Sequence, residues 1–195
     1  MIILLNLRVT LYRLLHFVHT AFSYYPKFLW TDLRMASHYF LRGPYKLTEE
    51  YGETPLATLD KIAREFRILS KDTVLELGCG TGRTCLWLRS FVGCRVIGVD
   101  HARALIQKAQ SLGSSVEFRC EDILKTELNA NILYFYGTSF PDDFIRKLTK
   151  RITDQKVITV SFPLRDYDKR FRVEKIIKGS FPWGKTEIYL NVVQE

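Results

Sequence analysis

The sequence predicts an α/β fold built on a mostly parallel sheet of seven strands with an antiparallel strand at its C-terminal end. First, short apolar runs alternate with amphipathic stretches of helix length from about residue 55 onward, which is typical of parallel strands covered by helices on both faces. Second, the last two strand-like runs, 172–177 and 186–193, are joined by a short turn, which favours an antiparallel pair. Third, a glycine-rich loop at 78–82 directly follows the first strand.

The individual elements follow from local signals. A first helix is predicted over 55–69, with Thr54 as its N-cap and Pro55 at the first helical position. Strands are predicted at 73–77, 95–99, 116–119, 131–136 and 156–162, and helices at 81–91, 102–112 and 141–153.

The chain divides into an N-terminal helical extension, residues 1–46, and a domain over residues 47–195. The hydrophobic content of 47% over 195 residues is enough for one well-formed core. Positions 1–46 hold six basic residues and one acid, so the remainder holds 29 − 6 = 23 basic and 21 − 1 = 20 acidic residues. The formal charge of +8 therefore comes mainly from the extension, as +5 against +3. A nucleic-acid partner is disfavoured, because such proteins concentrate positive charge on the working face.

Residues 2–22 of the extension have the pattern of an amphipathic helix. Arg8 and Arg13 interrupt the apolar run, so it is unsuited to spanning a membrane. Three alternatives stay open: packing on the domain or on a second copy, lying in a membrane surface, and acting as an uncleaved signal anchor. We expect a cytoplasmic protein, with membrane association through this helix among the alternatives.

The four cysteines form neither a C-x-x-C pair nor a zinc-binding arrangement with the four histidines. They are expected to be small buried side chains in a reducing compartment. No metal site is predicted. The cysteines are Cys79, Cys85, Cys94 and Cys120.

The glycine loop has the spacing G-x-G-x-G, at Gly78, Gly80 and Gly82, and Arg83 fills the place of the third glycine of a dinucleotide fingerprint. Asp100 ends the second strand, eighteen positions after Gly82. Glycines let a ligand approach bare main chain, and an acid at the neighbouring strand end can accept both ribose hydroxyls. The pair indicates an adenosine-type cofactor without a pyrophosphate.

This run resembles motif I of the class I methyltransferases, which have a Rossmann-like fold and use S-adenosyl-L-methionine. The resemblance implies that the glycine loop backs the methionine part of the cofactor and that Asp100 holds the ribose hydroxyls. It also implies that Asp122, after the third strand, binds the adenine amino group, and that Glu76 faces the cofactor's ammonium directly or through water. A helix N-cap for Asp122 and a turn-stabilising acid for Asp100 are the alternatives.

Further motifs resemble the non-SET lysine methyltransferases, known for methylating a histone core lysine, and the membrane-anchored mitochondrial lysine methyltransferases and their bacterial relatives. The most specific is Tyr51-Gly52-Glu53-Thr54, which by this resemblance lies over the methionine end of the cofactor and frames the acceptor channel. The others are Phe140-Pro141-Asp142, Val160-Ser161-Phe162-Pro163 and the region from Gly179 to Gly184. Where the histone enzymes carry an asparagine pair, this chain holds Phe135 and Tyr136, which leaves the acceptor open.

The resulting prediction is methylation of a protein lysine. Two alternatives stay open for the strand predicted at 131–136: Tyr134, Phe135 and Tyr136 line an apolar channel that disfavours the acceptor's ammonium form, or alternate members of the strand are simply core. Tyr136 and Tyr51 are the candidates for catalysis. An RNA or small-molecule methyltransferase and a non-catalytic interaction protein of the same fold are the alternatives, and a dehydrogenase is the least favoured one.

Overall fold

A seven-stranded sheet forms the centre of the described part of the chain. The computed structural model describes residues 53–111 and 115–194. The strands are β1 (Thr73–Leu77), β2 (Arg95–Asp100), β3 (Glu117–Cys120), β4 (Ile132–Phe135), β5 (Lys156–Val160), β6 (Phe171–Phe181) and β7 (Gly184–Val193). Their order in the sheet is β3-β2-β1-β4-β5-β7-β6. The first five strands run parallel and β7 is antiparallel to β5, which confirms the predicted sheet.

Of the four described helices, the first precedes the first strand and the other three connect parallel strands. The first and fourth are shorter than the sequence pattern predicts, and the second passes into a π-helical turn over Leu88–Val92. A short 3₁₀ turn, Leu164–Asp166, follows β5. The helices are α1 (Leu56–Glu65), α2 (Arg83–Trp87), α3 (Arg103–Ser111) and α4 (Asp142–Thr149).

The two ends of α1 differ from the prediction. Its N-cap is Pro55 without a side-chain hydrogen bond, so the predicted capping by Thr54 is wrong: the Thr54 hydroxyl is bonded to Tyr134 instead. The helix ends because Arg67 adopts a left-handed conformation with φ of 54°, and the Ile68 amide donates to the Ala63 carbonyl at 2.9 Å. This reversal is a common helix C-terminus, normally made by glycine.

The strand register sets which side chains meet on the two faces of the sheet. Glu76 of β1 lies level with Gly98 of β2 and with Tyr134 of β4. Residues paired in this way point to the same face, so a carboxyl group sits between a glycine and a tyrosine. On the opposite face, β1 contributes Leu75 and Leu77 to an apolar core shared with α4.

The boundary predicted at residues 46/47, the extension and Tyr51 lie outside the described residues. The described residues other than 182–184 belong to one compact unit. Over 53–111 and 115–194, no helix has the length and apolar character needed to cross a membrane. Association of the extension with a membrane and a cytoplasmic location stay predictions from the sequence.

Candidate active site

The glycine loop is fastened to the end of β2 by main-chain hydrogen bonds. The amides of Gly78 and Cys79 both donate to the Val99 carbonyl, at 2.8 and 2.9 Å. Gly78, Gly80 and Gly82 have φ values of 82°, 52° and 76°. These angles favour glycine, because a Cβ clashes with the backbone in the left-handed region. At Gly82 a Cβ would also lie 2.4 Å from the ring of Phe118.

Asp100 lies directly against this loop. One carboxylate oxygen accepts the Gly80 amide at 2.9 Å and the other accepts the Ala102 amide at 2.8 Å. The residue is 8% exposed. The acid therefore stabilises the turn after β2, and it also stands beside the bare main chain of the loop, as the ribose-binding prediction requires.

Asp122 follows the end of β3, and the Glu121 amide donates to the Asp100 carbonyl at 3.1 Å. One Asp122 carboxylate oxygen accepts the Leu124 amide at 2.9 Å, and the other lies 3.9 Å from the Lys125 ammonium. The residue thus opens a turn, and the helix N-cap predicted as its structural alternative is wrong because, in the described residues, no helix follows β3 before β4. The hydrogen bond between Glu121 and Asp100 brings both acids to one edge of the sheet. Contact of Asp122 with adenine stays a prediction.

Glu76 is a buried carboxyl group at the centre of the site. Removal from water raises its pKa to about 8, against 4.5 for an ordinary glutamate. The Cys85 thiol of α2 donates to one of its oxygens at 2.8 Å. Its role as partner of a cofactor ammonium stays a prediction, for which a buried acid beside the glycine loop is suitably placed.

The Thr54 side chain is hydrogen-bonded to β4, which lies on the other side of β1 from β2. Its hydroxyl lies 2.5 Å from that of Tyr134, and both side chains are buried. Burial raises the pKa of the Tyr134 hydroxyl, which therefore stays protonated. The segment before α1 is thus held at the end of β4, next to the strand that carries Glu76.

The neighbouring Glu53 is tied to the glycine loop itself. One of its carboxylate oxygens accepts the Thr81 hydroxyl at 3.2 Å, and the other is 3.5 Å from the Arg83 guanidinium. The sequence identified Glu53 only as part of a family motif and predicted no function for Arg83. The sequence feature that pointed to this contact is the arginine at the position of the third glycine.

The structure contradicts the predicted acceptor channel for two of its three residues. Tyr134 and Phe135 are fully buried, so lining an open channel is wrong for both: the Tyr134 hydroxyl is used by Thr54, and Phe135 packs in the core on the other face of the sheet. Tyr136, just beyond β4, is half-buried with its ring 5.7 Å from that of Phe181. It remains the candidate for placing an acceptor.

Aromatic rings gather around the ends of β4 and β5. Phe135 packs against Phe140 at 5.3 Å and against Phe162 at 6.1 Å between ring centroids. Gly137, with φ of 59°, is confined by the Phe135 and Phe162 rings, and Ser161 after β5 has φ of 75°. A positive φ at a serine is uncommon, and such residues often lie at functional sites.

Within the described residues, no group of three or more histidine, cysteine or acidic side chains is arranged to hold a metal ion. All four cysteines are free thiols. Cys79, Cys85 and Cys94 are buried as predicted, whereas Cys120 is exposed because it ends β3 at the edge of the sheet.

The comparisons with known proteins agree with this site. Residues 74–139, which include the glycine loop and both acids, match the family described as Methyltransferase domain. The described sheet with its glycine loop has the Rossmann-like methyltransferase fold. It is an S-adenosylmethionine-dependent methyltransferase, and its cofactor is S-adenosylmethionine. A search of curated protein sequences found no significant match.

Several solved methyltransferase structures share the fold. The chain is similar to an RNA methyltransferase from Salinibacter ruber in complex with S-adenosyl-L-homocysteine, at 19% identity and a TM-score of 0.60, over 73% of this chain and 95% of that one. It is similar to magnesium protoporphyrin IX methyltransferase from Synechocystis PCC 6803 with bound S-adenosylmethionine, at 15% identity and 0.57, over 71% and 77%. A third is coclaurine N-methyltransferase, at 17% identity and 0.53, over 64% and 51%.

Proposed function

We propose that this methyltransferase acts on a small, planar acceptor that binds beside Tyr136 at the carboxyl ends of β4 and β5. The hydrogen bond from the Gly80 amide to the Asp100 carboxylate is the main observation in support of a methyl-transfer reaction. It places bare main chain and a strand-end carboxylate side by side, which suits a nucleoside with two free ribose hydroxyls.

The residues around the loop fit the cofactor as a set. In this proposal the backbone of Gly78, Gly80 and Gly82 supports the methionine part and Asp100 holds the ribose. Asp122 meets the adenine amino group, and Glu76 with Thr54 faces the amino-acid end. When bound, S-adenosylmethionine supplies an activated methyl group on a positively charged sulfur with a good leaving group. The protein mainly has to align the acceptor with that methyl group and exclude water.

The choice of a planar acceptor rests on the aromatic residues that follow β4 and β5. The Tyr136 ring packs against Phe181, while Phe140 and Phe162 pack against Phe135. Aromatic faces bind flat apolar molecules by stacking and edge contacts. Of the three similar structures above, two are of enzymes named for small molecules, magnesium protoporphyrin IX and coclaurine, and one is of an enzyme named for RNA.

Protein lysine methylation is the second candidate. It is favoured by the Glu53 and Thr54 pair, the described half of the motif that resembles the lysine enzymes, because this pair lies against the glycine loop and β4. A lysine at pH 7 must first lose a proton, at a cost of roughly 4.6 kcal/mol for a pKa near 10.4. Aromatic surroundings reduce that cost by disfavouring the ammonium.

Methyl-labelled S-adenosylmethionine, incubated with the enzyme and a fractionated cell lysate, tests the acceptor. We expect label in the small-molecule fraction, and an Asp100→Ala variant should transfer none because it cannot hold the cofactor. Tyr136→Phe should bind S-adenosylhomocysteine normally and transfer label more slowly. Label found in lysine residues of protein would favour the second candidate, and label confined to RNA would contradict both.

A further inference from the structure

We propose that Glu53 and Arg83 form a clasp that positions the segment before α1 over the glycine loop and so completes the cofactor pocket. This role rests on the proposed function, in which neither residue is assigned a part in holding the cofactor. The clasp consists of the Glu53 carboxylate, the Thr81 hydroxyl at 3.2 Å and the Arg83 guanidinium at 3.5 Å.

The surroundings of this ion pair differ from those of most surface pairs. The Glu53 and Arg83 side chains are each 11% exposed, whereas the Lys175–Glu65 pair between β6 and α1 is 44% and 46% exposed. Exposed pairs contribute little because water screens them. A pair this far from water matters more, because losing one partner leaves the other charge poorly solvated.

The clasp joins parts of the chain that are distant in sequence. Thr81 and Arg83 flank Gly82, where the loop turns into α2. The residue after Glu53, Thr54, is bonded to Tyr134 at the end of β4. In the sheet, β1 lies between β2 and β4, and the glycine loop is bonded to the end of β2. Glu53 and Thr54, which are consecutive, are therefore attached on opposite sides of β1.

This arrangement accounts for the side chain at position 83. A glycine there would allow closer helix packing beside a pyrophosphate, but it would provide no cation for Glu53. With Arg83 in place, the 53–54 segment crosses the end of β1 where the methionine part of the cofactor is proposed to lie. Glu53 and Arg83 are positioning residues, since they act through the placement of that segment.

A double-mutant cycle on cofactor affinity tests the clasp. The variants are Glu53→Gln, Arg83→Gln and the combination of both, with binding of S-adenosylhomocysteine measured by calorimetry and folding checked by circular dichroism. Each single variant should bind roughly tenfold more weakly, because the ion pair that holds the 53–54 segment on the loop is lost. The double variant should lose no more than either single variant, since both remove the same interaction.

Two further measurements separate positioning from a general structural effect. Arg83→Lys keeps the charge and should stay within about threefold of the wild-type dissociation constant, because a single-point contact needs charge more than the arginine fork. Each single glutamine variant should raise KM for the cofactor while kcat at saturating cofactor changes little, since neither side chain meets the reacting atoms. Glu65→Gln is the control, because it removes the exposed Lys175–Glu65 pair, and it should leave KM for the cofactor and kcat unchanged.

The possible failures are distinguishable. If the wild-type protein does not bind S-adenosylhomocysteine, the proposed function fails and the clasp fails with it. If the wild type binds but the single variants bind equally well, or their losses add in the double variant, the clasp alone is overturned. A loss of kcat at saturating cofactor would also contradict a positioning role.

Discussion

At the scale of single residues, Glu76 shows how a fold changes the chemistry of a side chain. Its position two residues before the first loop glycine is visible in the sequence. Its raised pKa is not, because that depends on burial of the carboxyl group between β2 and β4, which outweighs the lowering effect of the hydrogen bond from the Cys85 thiol. In most molecules of the ligand-free protein at pH 7 this carboxyl group is neutral, and it ionises readily when a cation approaches.

This shift predicts a pH dependence of stability. The folded-state pKa of about 8 lies above the ordinary 4.5, so the folded protein holds a proton that the unfolded chain has released. The contribution of Glu76 is fully present below pH 4.5 and is lost as the pH rises through about 8. Urea unfolding of the wild type and of Glu76→Gln, compared from pH 5 to pH 8, should show the wild type losing about 1 kcal/mol more per pH unit.

The comparison needs the ligand-free protein, because a bound ammonium group would favour the ionised carboxylate. Parallel curves for the two proteins would show that Glu76 is not protonated in the folded state. A wild type that gains stability relative to the variant as pH rises would reverse the assigned sign.

At the scale of the elements, buried strands were easier to predict than helix ends. The strand β1 has the bounds predicted for it, because an apolar run between turn residues is a local signal. Thr54 was misplaced because its partner is 80 residues away, at Tyr134. The Glu53–Arg83 pair spans 30 residues and was missed for the same reason: a side-chain contact between distant segments leaves no periodic trace in the sequence.

The C-terminal turn of α1 gives a stability prediction at this scale. Arg67 adopts a φ of 54° that glycine tolerates better. Arg67→Gly should therefore raise the free energy of unfolding by about 1 kcal/mol, measured by urea denaturation. Gly93 is the matched control, because it has a φ of 78° and a Cβ there would meet nothing nearer than 3.9 Å. Gly93→Ala should lower the free energy of unfolding by about 1 kcal/mol. If both substitutions changed the free energy of unfolding in the same direction, the left-handed φ would not be the cause.

At the scale of the whole molecule, the strand order explains why the site lies where it does. The chain proceeds from β1 through β2 to β3 on one side, then returns to β4 on the other side of β1. Parallel sheets bind ligands at the carboxyl ends of their strands, where the order reverses. The glycine loop, Asp100, Thr54 and Tyr136 all lie at that end, so the alternation of strands and helices was enough to predict which edge carries the site. It was not enough to predict which aromatic residues face solvent, since that depends on which face of the sheet each helix covers.

The most direct test of the account is the binding of S-adenosylhomocysteine to the wild type and to Asp100→Ala, measured by calorimetry with a nicotinamide dinucleotide as the comparison ligand. We predict that the wild type binds S-adenosylhomocysteine and not the dinucleotide, and that the variant loses this binding because the ribose hydroxyls have no acceptor and the Gly80 amide loses its partner. Undiminished affinity in Asp100→Ala, or preference of the wild type for the dinucleotide, would contradict the assignment of this pocket.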